Sequence, residues 1–275
     1  MPVNDKLGNR MKHNYEEVYK YRLCRRMPVI IRLDGKAFHT FTKGLRKPFD
    51  EVFVKTMQDT MKYLCENIQG CVLGYTQSDE ITLVLIDYQT LQTDAWYDYE
   101  VQKMTSVSAS MATLAFNKYF KENTMALITN LEEFEESYFA KFDCAMFDSR
   151  CFNIPKEEVT NCILWRQLDA ERNSINALAQ SLFSHKSLQG LDRKATITKM
   201  ETEKGVIWGN LPAEYKRGSC CVKQEVVVKE WAEDVGGGLG VVRRETATKW
   251  FVDRNIPLFK GKDRDYIEQL INFES

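Results

Sequence analysis

Pro28-Val29-Ile30-Ile31-Arg32-Leu33-Asp34-Gly35 is the stretch that most constrains what this chain can fold into. Val29, Ile30, Ile31 and Leu33 are β-formers, and Pro28 stands first, where its missing N–H is tolerated. The run reads as a buried strand that ends on a carboxylate. Gly35 then allows a tight turn and lets its carbonyl approach a ligand closely. A carboxylate at a strand end beside a glycine suits a hard cation, which takes oxygen ligands and keeps several waters. An Asp-Gly is also an ordinary strand-to-turn dipeptide, so this stretch alone assigns no site.

A second stretch narrows the choice. Cys71 to Tyr75 and Ile81 to Ile86 read as the strands of a hairpin, with Thr76, Gln77, Ser78, Asp79 and Glu80 between them. Hairpin turns favour Asn-Gly or Asp-Gly. This tip has no glycine and carries two adjacent acids, so turn chemistry alone does not account for it.

Around these strands the first half of the chain alternates. A helix is expected over residues 49–67, with Phe53, Met57, Met61, Leu64 and Ile68 at helical spacing and Gly70 at its end. Another is expected over 100–121, where Val101, Met104, Val107, Met111, Leu114 and Ala115 share a face. The small Ser106, Ser108, Ser110 and Ala112 suit close packing on a sheet, and the methionines read as core filler. Residues 145–154 read as a further strand. The order is β-α-β-β-α-β, an α+β fold with a ferredoxin-like core. Its first two strands run the same way, which brings the end of one and the tip of the hairpin to the same end of the sheet. Asp34 and Asp79 are then expected to face each other across neighbouring strands. Two carboxylates so placed repel, and one is driven to protonate. Two divalent ions relieve that, and also clamp an in-line phosphoryl displacement. The arrangement is similar to the palm of nucleotide polymerases and nucleotide cyclases, although fold alone does not assign a reaction.

Composition limits the alternatives. With 275 residues, 44% of them hydrophobic, the chain can bury a sizeable core. No apolar run approaches the roughly 20 residues that a membrane-spanning helix needs. Met1 to Arg26 is charged and lacks an apolar signal core, so the chain reads as cytoplasmic. Its eight cysteines contain no C-x-x-C pair and read as reduced, mostly buried thiols. The formal net charge of -1 hides an uneven distribution. Residues 1–50 hold twelve Lys/Arg against five Asp/Glu, and residues 184–223 hold eight against four. Such segments suit phosphates, or are simply solvated surface.

Several motifs, taken together and in order, carry a resemblance. They are Arg32-Leu33-Asp34-Gly35-Lys36-Ala37-Phe38-His39, Lys47-Pro48 and Tyr75-Thr76-Gln77-Ser78-Asp79-Glu80, followed by Phe147-Asp148-Ser149-Arg150, Leu164-Trp165-Arg166-Gln167 and Lys216-Arg217-Gly218. From about Met11 to Gly218 the chain resembles the tRNA(His) guanylyltransferase superfamily, whose members extend RNA at its 5′ end in the 3′-to-5′ direction. One departure matters. Members that act strictly on tRNA(His) carry His-Ile-Asn-Asn-Leu-Tyr-Asn where this chain has Glu171-Arg172-Asn173-Ser174-Ile175-Asn176-Ala177, and only Asn173 matches. The chain is more similar to the like-protein branch, a template-dependent 3′-to-5′ RNA polymerase that repairs 5′-truncated tRNA.

The resemblance implies roles for particular residues. Asp34 and Asp79 would bind two Mg²⁺ ions, the Gly35 carbonyl would bind one, and Glu80 would join the catalytic carboxylates or form a hairpin salt bridge. Backbone amides of Gly35, Lys36, Ala37, Phe38 and His39 would cradle a triphosphate, as consecutive N–H groups do in a nest. Lys36, Lys47 and Ser78 are candidate phosphate contacts. His39 would lie near the nucleotide, or act as a packing imidazole. Arg150, Asn173 and Lys216 are candidates for contact with the triphosphate or RNA. Implied substrates are tRNA and nucleoside triphosphates, with ATP or GTP also activating the 5′ end. The implied assembly is a homotetramer.

Residues 1–154 read as the palm-like catalytic core, and 155–275 as an RNA-contacting helical and small-strand extension packed on it. In the extension, Pro155 to Phe183 is expected to be one long helix and 187–204 a shorter one. Two Val-rich strands, 225–228 and 239–242, flank Gly236-Gly237-Gly238, which lacks the lysine and helix of a P-loop. A nucleotide cyclase and a non-catalytic RNA-binding protein are the competing readings. The intact Asp34 and Asp79 weigh against the second of these, and the basic segments against the first.

Overall fold

Strand β1, Val29–Gly35, sends alternate side chains into two different cores. Val29, Ile31 and Leu33 enter one with Met57, Met61 and Leu64 of helix α1 (Glu51–Asn67) and Phe116 and Phe120 of helix α2 (Val101–Leu127). Ile30 enters the other with Val159 and Ile163 of helix α3 (Val159–Leu182) and Ile267 of the last helix, Asp265–Ile271. The even-numbered face of β1 therefore carries Ile30, Arg32 and Asp34. The computed structural model describes residues 5–127, 135–234 and 240–272.

The hairpin is formed by β2 (Cys71–Gln77) and β3 (Glu80–Leu85), and β4 is Phe147–Asn153. Two longer strands follow, β5 (Ser219–Asp234) and β6 (Gly240–Asp253). The six-stranded sheet has the order β4-β1-β3-β2-β5-β6. Its first four strands keep the α+β, ferredoxin-like arrangement expected from the sequence.

Asp34 and Asp79 are expected to face each other across neighbouring strands; the structure places Asp79 in the turn between β2 and β3 rather than on a strand. The neighbour of β1 is β3, paired antiparallel, with Asp34 opposite Glu80. Asp79 comes close because the hairpin turn is short. Only Ser78 and Asp79 separate the strands, and Ser78 takes φ 48 where a turn would favour glycine.

Helix bounds differ from the sequence reading for local reasons. α1 begins at Glu51 because the Asp50 carboxylate caps it, accepting from the Phe53 N–H at 2.8 Å. α2 runs past Lys121 to Leu127, since Glu122 to Ala126 hold no Gly or Pro to stop it. The helix expected over 187–204 splits at Gly190 (φ +81), and helix α4 is Arg193–Lys204, capped by Asp192.

β5 and β6 are much longer than the short valine runs suggested. Only Ser219, Cys220 and Cys221 pair with β2, and the remaining rungs of β5 pair with β6 alone. A two-stranded ribbon away from the core needs no apolar face, so hydrophobic pattern under-reports it. The glycines 236–238 lie outside the described residues. No helix among the described residues is long and apolar enough to cross a membrane. All eight cysteines are free thiols, with Cys65, Cys71, Cys220 and Cys221 buried and Cys24 and Cys144 exposed.

Candidate active site

Pairing register places three carboxylates in a row across one end of the sheet. Glu80 on β3 and Asp148 on β4 both lie opposite Asp34 on β1, and paired residues share a face. The outer two are each matched by an arginine. Arg166 of α3 donates from Nε to Glu80 Oε1 at 2.7 Å, with both side chains largely buried. Arg150 donates from Nη2 to Asp148 Oδ1 at 2.8 Å. Among the described residues Asp34 has no such partner, and the Asp79 carboxylate accepts from the Ser78 hydroxyl, at 3.1 Å, and from its own backbone N–H.

Asp79 is tied to β1 through its backbone, since the Gly35 N–H donates to the Asp79 carbonyl at 3.0 Å. Burial pushes the Asp79 carboxyl above its ordinary pKa, and the charge of Asp34 pushes the same way. Its hydrogen bonds and nearby His39 oppose the rise. Asp34 and Asp79 are thus close enough for their charges to repel, and His39 acts on Asp79, and Arg150 on Asp34, in the opposite sense.

This donor set fits a hard divalent cation. Two carboxylates and the Gly35 carbonyl supply oxygen, and Mg²⁺ characteristically keeps waters for its remaining positions. Among the described residues no group of three or more His, Cys, Asp or Glu side chains is gathered as a closed metal cage. Glu80 is engaged by Arg166 instead, the hairpin salt bridge that the sequence left open.

The turn after β1 narrows the amide cradle. The Gly35 N–H is spent on Asp79, and the Lys36 N–H donates to the Met146 carbonyl at 2.9 Å. Ala37 takes φ 58, and with Phe38 and His39 it opens the single helical turn Phe38–Phe41, whose first amides no intrahelical carbonyl can reach. The available donors are therefore those of residues 37–39. The Phe38 ring is not a ligand contact. It is buried against Phe41, Phe53, Phe116 and Phe147, which anchors the turn.

Beside the turn lies a cleft of about 240 Å³. Lys47, Ser78 and Asn173 all line it, three candidates far apart in sequence. Phe49 and Tyr215 stack on its wall, with ring centroids 5.0 Å apart and planes 7° from parallel. Lys36 and His39 are exposed and do not line it. Lys216 is not gathered there. Its Nζ donates to the Gly209 carbonyl at 2.5 Å and lies over the Trp208 ring, and burial lowers its pKa. The basic N-terminal segment is partly spent internally, since Arg25 pairs with buried Asp87 and Arg22 with Asp98.

Sequence reasoning missed the roles of Arg166, Asp148 and the Phe49–Tyr215 stack. Arg166 and Asp148 stand inside motifs already noticed, but their partners are set by strand register and helix docking. Nothing in the chain signals that Phe49 meets Tyr215.

A family model described as tRNAHis guanylyltransferase (Thg1) matches residues 8–155, more than half of the chain. The chain belongs to this family. A solved bacterial tRNA(His) guanylyltransferase (Thg1)-like protein in complex with ATP is 39% identical, with a TM-score of 0.78, covering 97% of this chain and 99% of that one. Another such bacterial protein, in complex with GTP, is 35% identical with a TM-score of 0.72 over the same shares. An uncharacterized protein of Acanthamoeba polyphaga mimivirus is 30% identical over 81% of this chain and 78% of its own. Within the Thg1 family the protein falls in the like-protein branch, and it is a nucleotidyltransferase. The sheet end brings Asp34, Asp79 and the amides of residues 37–39 to one side of the molecule.

Proposed function

We propose that this enzyme adds nucleotides to the 5′ end of tRNA in the 3′-to-5′ direction, guided by the opposing strand, and so repairs 5′-truncated tRNA. The observation that carries this reading is the contrast among the sheet-end carboxylates. Glu80 and Asp148 are each paired with an arginine, while among the described residues neither Asp34 nor Asp79 has a salt-bridge partner. The similarity to bacterial like-proteins solved with ATP and with GTP supports nucleoside triphosphates as substrates.

Asp34, Asp79 and the Gly35 carbonyl would hold Mg²⁺, two ions by resemblance. When bound, the metal supplies Lewis-acid stabilisation of charge on the reacting phosphoryl group. The chain's own residues position the reactants. Lys47, Ser78, Asn173 and the amides of residues 37–39 bind and orient phosphates, and the Phe49–Tyr215 wall covers a nucleoside. In the reaction the 3′-hydroxyl of an incoming triphosphate attacks the phosphorus at the RNA 5′ end. Pyrophosphate leaves from a triphosphorylated end, and a nucleoside monophosphate leaves from an end activated with ATP or GTP. The segment from residue 155 onward packs on the palm and contacts the RNA, and the working assembly is a cytoplasmic homotetramer.

Incubating the protein with Mg²⁺, labelled nucleoside triphosphates and a tRNA lacking its first nucleotide tests the reading. RNA longer by one nucleotide is the expected product. A cyclic nucleotide, or no product, would overturn it.

A further inference from the structure

Trp165 is out of place as a packing residue. It sits in α3 between buried Ile163 and buried Arg166, yet half of its surface is open, at 50% exposure. The ring is also held in position. The Arg166 guanidinium lies 4.5 Å from the ring centroid, and Arg166 is itself pinned by Glu80 and by Asp169, each at 2.7 Å. The Arg32 guanidinium lies 5.6 Å from the same centroid.

Arg32 fixes where this ring is relative to the carboxylates. It is two residues before Asp34 on the same face of β1, a spacing of about 7 Å along a strand. Opposite Arg32 in β4 is Arg150, half exposed. A held, half-open indole and two guanidiniums therefore line the approach to Asp34, about one nucleotide step away. Single-stranded and terminal nucleotides are recognised in this way, by an aromatic face under the base and cations beside the phosphates.

We infer that Trp165 is a stacking platform for the terminal base at the 5′ end of the RNA, with Arg32 and Arg150 beside its phosphates. This deepens the proposed function and rests on it. Stacking there sets the 5′ phosphorus at the acids without reading base identity, since every base presents a π-face. Asp34 and Asp79 hold the reaction end, and Trp165 is a positioning residue.

The test uses full-length protein, Mg²⁺ and a tRNA lacking its first nucleotide whose new 5′-terminal base is 2-aminopurine. Wild type should quench the probe, and the signal of a probe placed four nucleotides into the stem, already dimmed by its stacked neighbours, should not change on binding. Trp165→Leu should abolish the terminal quench and raise the KM for RNA about 5- to 100-fold, with a much smaller change in the KM for the triphosphate. Trp165→Tyr, which keeps an aromatic face and guards against misfolding of the leucine variant, should retain most of the quench. Terminal quenching that survives in Trp165→Leu, or equal quenching of the internal probe, overturns the inference while leaving 5′ addition in place. If wild type extends no RNA at all, it is the proposed function that fails.

Discussion

Arg166 and Glu80 form a buried ion pair, Nε to Oε1 at 2.7 Å, that joins helix α3 to the first residue of β3. Through it the helix holds the hairpin tip that carries Asp79. Arg166 also donates from Nη1 to Asp169, so the guanidinium is satisfied on two sides. Removing it leaves Glu80 buried without a cation. Arg166→Ala is expected to cost about 3–5 kcal/mol of stability, measured by urea unfolding. A loss below about 1 kcal/mol would mean that the pair does not anchor the tip.

Asp34→Ala and Asp79→Ala are expected to abolish nucleotide addition, each by at least about a hundredfold. Neither should lower the melting temperature, because among the described residues neither carboxylate has a salt bridge to lose. Single-turnover assays and circular-dichroism melts check this. Turnover above about a hundredth of wild type in either variant would overturn the assignment of two metal ions shared by these carboxylates.

Asp79 also makes the metal-free protein pH-sensitive. Burial and Asp34 raise its pKa in the folded state above the ordinary 3.8. Between those two values the folded state holds a proton that the unfolded chain has released, so stability falls as pH rises. The contribution is fully present below 3.8 and is lost through the raised pKa. In EDTA, wild type should lose melting temperature across that window, and Asp79→Asn should lose less. Above the window, added Mg²⁺ should raise the wild-type melting temperature more than that of Asp79→Asn. Parallel curves for the two proteins would contradict the linkage.

Substrate choice follows from the altered run at residues 171–177. If pairing selects the incoming base, the protein need bind only shape and phosphates. Several tRNA species lacking their first nucleotide should then be extended, each with the complement of its opposing base. Changing that base should change which triphosphate is incorporated, and binding should weaken steeply with salt. Addition of G alone, only to tRNA with the histidine anticodon and whatever base lies opposite, would show strict guanylyltransferase behaviour instead.

What the sequence determined by itself was whatever depends on neighbours along the chain. The β-former run Val29–Leu33, helical spacing in Phe53–Ile68 and the glycine-free acidic tip at Gln77–Glu80 are local patterns, and they set the order of strands and helices. That order already brings Asp34 and the hairpin tip to one end of a sheet, so the two acids were legible as candidates. Which acid meets which cation was not. Asp34, Glu80 and Asp148 are alike as isolated carboxylates. Strand register and the docking of α3 give Glu80 to Arg166 and Asp148 to Arg150, leaving Asp34 and Asp79 without a salt bridge among the described residues. The Phe49–Tyr215 wall and the half-open face of Trp165 depend likewise on contacts between distant segments. A one-dimensional pattern records the period of a segment's buried face. The partner across that face is chosen by pairing and packing among elements, and only the tertiary structure decides it.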